Sequence, residues 1–354
     1  MPILTRMLPS PLVVEVKRGA VADISQVLQE RFISGSGKVV VAVGRSQGRA
    51  IWEQIRPTLP DALLFEVPDA SLGAAGQLQE AMAGSGFDAV VGIGGGRTLD
   101  VAKYAATRAG VPMVAVATNL AHDGICSPVA SLEHPHGKGS YGVAMPLAVL
   151  VDLDYVQAAP PRLVRAGIGD VISNLSAVED WELANRERGE PLDGLALALA
   201  RTAAEAVLRR QDGIESDDFL VTLAHSLVLS GMAMSVAGSS RPCSGACHEI
   251  LHAVDQLYPG TSNHGELAGL GALFATHLRG QDELLVEMRD CLRRHDLPVT
   301  PAEVGLSEEA FVTAVLSGPG TRPDRYTVLE HRGLDEAATA AELARFLAHA
   351  DPHR

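Results

Sequence analysis

The sequence predicts a doubly wound α/β domain followed by an all-α domain. Three observations carry this. The chain has 354 residues, more than one hydrophobic core usually supports. Short apolar runs alternate with helical patterns early on: KVVVAVG (38–44), FDAVVGIGGG (87–96), VPMVAVAT (111–118) and LAVLVDLDYV (147–156) are interleaved with SQGRAIWEQIRPTL and TLDVAKYAATRAG. Continuous apolar strands of this kind imply a parallel sheet covered on both faces. From about residue 160 the strand-like runs stop, and LDGLALALARTAAEAVLRRQ (192–211) and FLVTLAHSLVLSGMAMSVAG (219–238) space their apolar residues at helical period. The expected domains are 1–158, which binds a dinucleotide, and 159–354, which carries metal and substrate.

The 219–238 run has the length of a membrane span, but His225, its serines and its small residues make it a buried core helix. Proline and glycine cluster at 296–305 and 317–324, where joints between helices are expected. A hydrophobic share of 47%, an aromatic share of 4% and 35 glycines suit a turn-rich α/β enzyme. The net charge of −14 argues against nucleic acid or an anionic membrane as partner. Cys126, Cys243, Cys247 and Cys291 are too few and too irregular for a disulfide framework. The stretch MPILTRMLPSPLVVEVKRG has no apolar run long enough for a signal sequence, so a soluble, cytoplasmic protein is expected.

GIGGGRTLD (92–100) falls between a predicted strand and a predicted helix, where backbone amides and the helix dipole favour a phosphate. Arg97 stands where G-x-G-x-x-G would have its third glycine. Arg45, past the VAVG strand, replaces the usual acidic ribose reader and leans toward the 2′-phosphate of NADP. GIGDVISN (167–174) reads as a glycine turn leading into a helix that starts at Asp170. His248 and His252 lie four apart on one helix face, and His264 opens the next helix. Two imidazoles and one carboxylate would form a three-ligand site for a catalytic divalent ion, although spacing alone does not single out Asp170 among the acids. A rival soft site of Cys243, Cys247 and His248 lacks a second cysteine pair. The histidines of LEHPHGKGS (132–140) read as a solvated loop.

The pieces GGGRTLD, TNLAHDGICS, AGIGDVISN, DWELA, SSRPCSGACHEILHAVD, HGELAG and RPDRYTVL occur in one order. Over about residues 12–335 this string resembles the sn-glycerol-1-phosphate dehydrogenase family. Its superfamily also holds glycerol dehydrogenase, iron-type alcohol dehydrogenases and dehydroquinate synthase. The resemblance implies a dehydroquinate synthase-like fold, with a Rossmann-like N-terminal domain and a helical C-terminal one. It implies Asp170, His248 and His264 as metal ligands, normally for zinc, with nickel or iron in some relatives. Gly94, Gly95, Gly96, Arg97, Thr98 and Asp100 would contact NAD or NADP, with Thr118, Asn119, Ala121 and Ser127 on its nicotinamide side. Asp123, Asp170 and His252 would touch the substrate, with Asp170 and His252 also catalytic. The implied substrate is a phosphorylated triose, dihydroxyacetone phosphate, reduced by hydride to sn-glycerol 1-phosphate by a homo-oligomeric enzyme. Arg241 and Lys138 are the cations expected for the phosphate, and Arg325 reads as a structural charge. Three alternatives remain: a dehydrogenase of an unphosphorylated polyol or specialised-pathway hydroxyketone, a sugar-phosphate cyclase, and a scaffold without catalysis.

Overall fold

A computed structural model describes residues 10–135 and 137–350; the expectations for residues 1–9 and for His136 lie outside the described residues. The chain divides into two compact units, Met1–Pro161 and Arg162–Arg354.

The first unit contains β1 (Val13–Lys17), β2 (Val39–Val43), β3 (Leu63–Glu66), β4 (Ala89–Gly94) and β5 (Met113–Ala117), followed by β6 (Val129–His134), β7 (Gly137–Gly142) and β8 (Ala148–Asp152). Six of them form one parallel sheet in the order β1-β8-β5-β4-β2-β3. Every residue of β2, β4, β5 and β8 is buried, because helices cover both faces of a sheet of this type. The helices are α1 (Ile24–Glu30), α2 (Gln47–Ile55), α3 (Leu72–Met82), α4 (Gly96–Ala109) and α5 (Leu153–Ala158). Ile24, Leu28, Ile51, Trp52 and Ile55 share one core with Val39, Val41, Val43, Ile93 and Leu150.

Two expectations fail here for local reasons. The 147–156 run does not continue as a strand past Asp152. There Asp152 Oδ1 accepts from Asp154 N (3.0 Å) and starts α5, while its other oxygen accepts from Val21 N (3.0 Å). The 132–140 segment is not a loop but most of the antiparallel β6–β7 hairpin, in which Leu132 is fully buried.

β2 and β4 are neighbours, yet the chain leaves β2 for β3 on one side and β4 for β5 on the other. This is the topological switch point where open α/β sheets bind ligands, and the glycine loop begins at its β4 end.

The second unit is helical: α6 (Pro161–Arg188), α7 (Gly194–Leu208), α8 (Asp217–Ala237), α9 (Ala246–Leu257), α10 (His264–Leu278), α11 (Asp282–Arg294), α12 (Glu308–Thr321), α13 (Val328–Arg332) and α14 (Glu336–Ala350). Every residue of α6 from Ala166 to Val178 is buried, so it is a central helix packed on all sides. GIGDVISN therefore is not a turn into a helix but the interior of one. Its Gly169 serves close packing: a Cβ there would stand 2.2 Å from the Gly265 carbonyl oxygen. The 317–321 part of the second Pro/Gly cluster is likewise helical, with Pro319 inside the end of α12. Among the described residues, α8 alone has the length and apolarity to cross a membrane, and 67% of its apolar window is buried inside the protein.

Candidate active site

Three elements of the second unit bring three donors together. Asp170 lies in the buried stretch of α6, His248 in the first turn of α9, and His264 is the first residue of α10. Their ligand atoms all lie within 4.8 Å of one another, and among the described residues no other such group occurs. His248 Nε2 stands 3.2 Å from His264 Nε2, His264 Nε2 3.4 Å from Asp170 Oδ1, and His248 Nε2 3.8 Å from the same oxygen. Ligands about 2.0–2.2 Å from a tetrahedral zinc stand about 3.3–3.6 Å apart, and these three edges, 3.2 to 3.8 Å, bracket that spacing around one divalent ion. The His264 side chain is 33% exposed, which leaves the set open on one side, as a catalytic metal site needs.

Electrostatics agrees with that chemistry. Burial pushes the His248 imidazole down to about 3, and the neighbouring His264 adds to the effect against the pull of Asp170. His248 is thus neutral at physiological pH, the form in which imidazole ligates a metal. Its Nδ1 lies 3.3 Å from the Cys247 sulfur, which leaves Nε2 to face the other donors. Burial raises the Cys247 thiol to about 12, so it stays protonated and supplies no thiolate for a soft site. Cys243 is turned to the Ser230 carbonyl (3.4 Å).

Local contacts fix the donors. Gly245, before α9, has no side chain to cap the helix; instead Asp180 Oδ2 accepts from Ala246 N (2.8 Å). The other oxygen of the fully buried Asp180 accepts from Val328 N (2.9 Å) and Arg279 Nη1 (2.7 Å), tying the starts of α9 and α13 to the end of α10. Asn263 caps α10 by accepting from Glu266 N (3.0 Å). A Cβ on Gly265 would fall 1.8 Å from the Ala166 carbonyl oxygen, so only glycine next to His264 lets α10 approach α6 this closely. Sequence reading missed Asp180 and Gly265; the quoted DWELA and HGELAG held both without revealing their roles.

His252 lies one turn beyond His248, with ring centroids 6.2 Å apart, and is not in the donor trio. Arg322 Nη2 lies 3.1 Å from His252 Nε2. A guanidinium only donates, so Nε2 accepts and the proton of a neutral His252 sits on Nδ1. Arg241, one of the two cations expected for a phosphate, donates to both oxygens of Glu190 (Nε to Oε1, 2.6 Å) and to Tyr326 O (3.1 Å). Lys138, the other, is exposed on β7.

In the first unit the loop residues gather at the end of β4. Gly94 closes the strand, Gly95 precedes α4, and Gly96 and Arg97 begin it, with Arg97 exposed. Thr98 N and Leu99 N both bond the Gly95 carbonyl oxygen (3.0 and 3.1 Å). Thr118 N bonds Gly94 O (3.1 Å), and a Cβ on Gly95 would stand 2.5 Å from Asn119 Nδ2. Asn119 Oδ1 accepts from Ala121 N (3.2 Å), so residues 118–121 lie along the glycine turn. Asp123 and Ser127 belong to the following loop, where Ser127 N bonds Asp123 O (3.0 Å). The buried carboxylate of Asp100 pairs with Lys103 (2.9 Å) and accepts from Ser131 N (3.1 Å). That side chain braces α4 against β6.

An unusual glycine turn on a parallel sheet and an Asp-His-His set in a helical unit define a class already known. The family described as iron-containing alcohol dehydrogenase matches residues 15–160. Solved structures share the fold. A probable glycerol dehydrogenase from Sinorhizobium meliloti superposes with a TM-score of 0.79 at 21% identity, covering 99% of this chain and 100% of that one. A maleylacetate reductase from Agrobacterium tumefaciens reaches 0.75 at 16%, covering 99% and 100%. These likenesses make the fold dehydroquinate synthase-like, as expected.

Sequence relatives narrow the class. The chain is 38% identical to glycerol-1-phosphate dehydrogenase (NAD(P)+) of Hyperthermus butylicus over 95% of its length and 96% of the relative's. It is 34% identical to the enzyme of that name from Methanothermobacter thermautotrophicus, over 92% and 94%. The chain belongs to the glycerol-1-phosphate dehydrogenase family.

Proposed function

We propose that this chain is a metal-dependent, NAD(P)-linked oxidoreductase that interconverts dihydroxyacetone phosphate and sn-glycerol 1-phosphate. The observation that carries the reading is the tetrahedral fit of the Asp170, His248 and His264 donors in a chain of this family.

When bound, a divalent ion, with zinc the first expectation, supplies a Lewis acid at those donors, and the nicotinamide supplies the hydride. The amides at the start of α4, beside Gly95 and Gly96, bind the pyrophosphate, and residues 118–121 border the same turn. Asp100 braces α4 against β6 by accepting from Ser131 N, and so steadies the turn from which α4 starts. Arg45, exposed past β2, favours NADP through its 2′-phosphate. His252, with its proton on Nδ1, hydrogen-bonds a substrate hydroxyl and exchanges the proton that accompanies hydride addition. Asp170 orients the substrate from the floor of the trio, and Asp123 is a second substrate contact. The working enzyme is a cytoplasmic homo-oligomer, which light scattering of the purified protein checks.

Initial rates with dihydroxyacetone phosphate, tried with NADH and NADPH in turn, test the reading alongside elemental analysis. The expected result is net cofactor oxidation, a preference for the phosphorylated ketone and bound divalent metal. Preference for free dihydroxyacetone would replace it with the polyol reading. Turnover of a sugar phosphate without net redox change would replace it with the cyclase.

A further inference from the structure

We propose that Arg322 and Arg325, in the RPDR segment between α12 and α13, form the anion subsite that receives the substrate's phosphate. They thereby select a triose phosphate over the free polyol. The inference rests on the reading above and assigns the phosphate to residues other than the Arg241 and Lys138 suggested by sequence.

Most partly buried arginines of the second unit are matched with carboxylates. Arg201 pairs with Glu182 (2.7 Å), Arg210 with Asp212 (2.5 Å) and Arg279 with Asp180 (2.7 Å). Arg241, with its two bonds to Glu190, follows the same rule. Arg325 does not. It is half-buried, and its bonds go to Ser244 O, Ser244 Oγ (3.0 Å) and Ser240 Oγ (2.7 Å), all neutral oxygens. Glu249 and Asp324 act on it through space, and among the described residues no carboxylate hydrogen-bonds it. Burial and the charges of Arg322 and Arg241 push its pKa down to about 10, so it remains a cation at neutral pH. A cation withdrawn from water beside a second cation is costly unless an anion joins them.

Position identifies the anion. Arg322 bonds His252 (3.1 Å), one helical turn from His248, and both guanidinium charges act on the His248 ring. The pair therefore adjoins the donor trio within the same unit. A triose phosphate carries its phosphate one carbon and one ester oxygen away from the reacting carbonyl, so its subsite must adjoin the carbonyl site. Guanidinium groups suit a phosphate dianion geometrically, and a net charge of −14 means that such attraction must be local.

The test uses full-length Arg322→Met, Arg325→Met and Arg322→Lys, with metal content measured for each. Steady-state rates are taken on dihydroxyacetone phosphate and dihydroxyacetone, and inorganic phosphate binding is followed by calorimetry. Each Met variant should lower the preference for the phosphorylated ketone, as a ratio of kcat/KM values, by about 10–100-fold. The loss should fall on KM more than on kcat, phosphate binding should weaken in parallel, and Arg322→Lys should recover part of both. An unchanged ratio and unchanged phosphate binding in metal-replete Arg322→Met overturn the proposal. So does an equal loss on both ketones, which marks a structural role. If Arg325→Met fails to fold, the two Arg322 variants decide alone. A wild-type enzyme that prefers free dihydroxyacetone defeats the functional reading instead, so the two failures are distinguishable.

Discussion

The glycine turn of the first unit and the donor trio of the second are built from opposite materials. The turn offers backbone, and the lack of side chains on Gly95 and Gly96 lets Asn119 and His122 approach it. The trio offers side chains, and glycines beside two of its members exist so that helices can press those side chains together. A backbone site breaks when an atom is added, whereas a side-chain site breaks when one is taken away. Each therefore has its own diagnostic substitution.

The largest effect belongs to the trio. Asp170→Ala removes one of three donors from a buried position without disturbing the α6 backbone, so metal content and activity should fall together while the fold persists. Loss of several kcal/mol of electrostatic stabilisation corresponds to a fall of about 10³-fold or more in kcat/KM. Circular dichroism with elemental analysis checks it, and full activity at full metal content would remove Asp170 from the site.

Gly95→Ala is the complementary probe. Gly95 has φ −86° and ψ −178°, which alanine adopts freely, so the cost is the new Cβ pressing on Asn119 Nδ2 at 2.5 Å. An overpacked contact costs about 1–3 kcal/mol, or about 5- to 150-fold in the KM for dinucleotide. Metal content should not change. A variant that loses metal but keeps its dinucleotide KM would erase the contrast between the two regions.

The same contrast explains what could be read in advance. The four strands buried on both faces are unbroken apolar runs and were legible in the sequence. The edge strands β1 and β3, VVEVK and LLFE, are half-exposed and have no such run. The β6–β7 hairpin was hidden by its polar and glycine-rich composition. In the trio, residue type and order were legible through family resemblance, but the helix around Asp170 was not, since GIG carries low helix propensity that burial overrides. Asp180 was illegible for a different reason. Its bonds to Ala246 and Val328 span 66 and 148 residues of chain, and nothing local in DWELA announces partners so distant. Arg325 resisted in the same way, because its neutral partners become visible only once the 240–244 loop is placed beside it.

The smallest effect concerns how the two units respond to acid. Three histidines with depressed pKa values lie in the second unit, the buried His248 and His295 and the partly buried His277. His277 is lowered by burial despite its 3.2 Å contact with Glu342. His295 stacks on Phe219 at 4.9 Å, and its buried Nε2 has no partner among the described residues. Burial first, then Arg294 and Arg165, lower it against Glu215 and Asp212. A folded-state value below the ordinary 6.5 means that below that pH the unfolded chain binds the proton more readily. The stabilisation is present above pH 6.5 and is lost as pH falls toward the depressed value. Each unit holds one buried tryptophan, Trp52 in the first and Trp181 in the second, so single-tryptophan variants report on them separately. Between pH 7 and 5 the Trp181 unfolding midpoint should fall more than the Trp52 midpoint. His295→Phe keeps a ring on Phe219 but cannot titrate, so it should narrow the gap; an unaltered gap would shift the acid sensitivity to His277 and the trio.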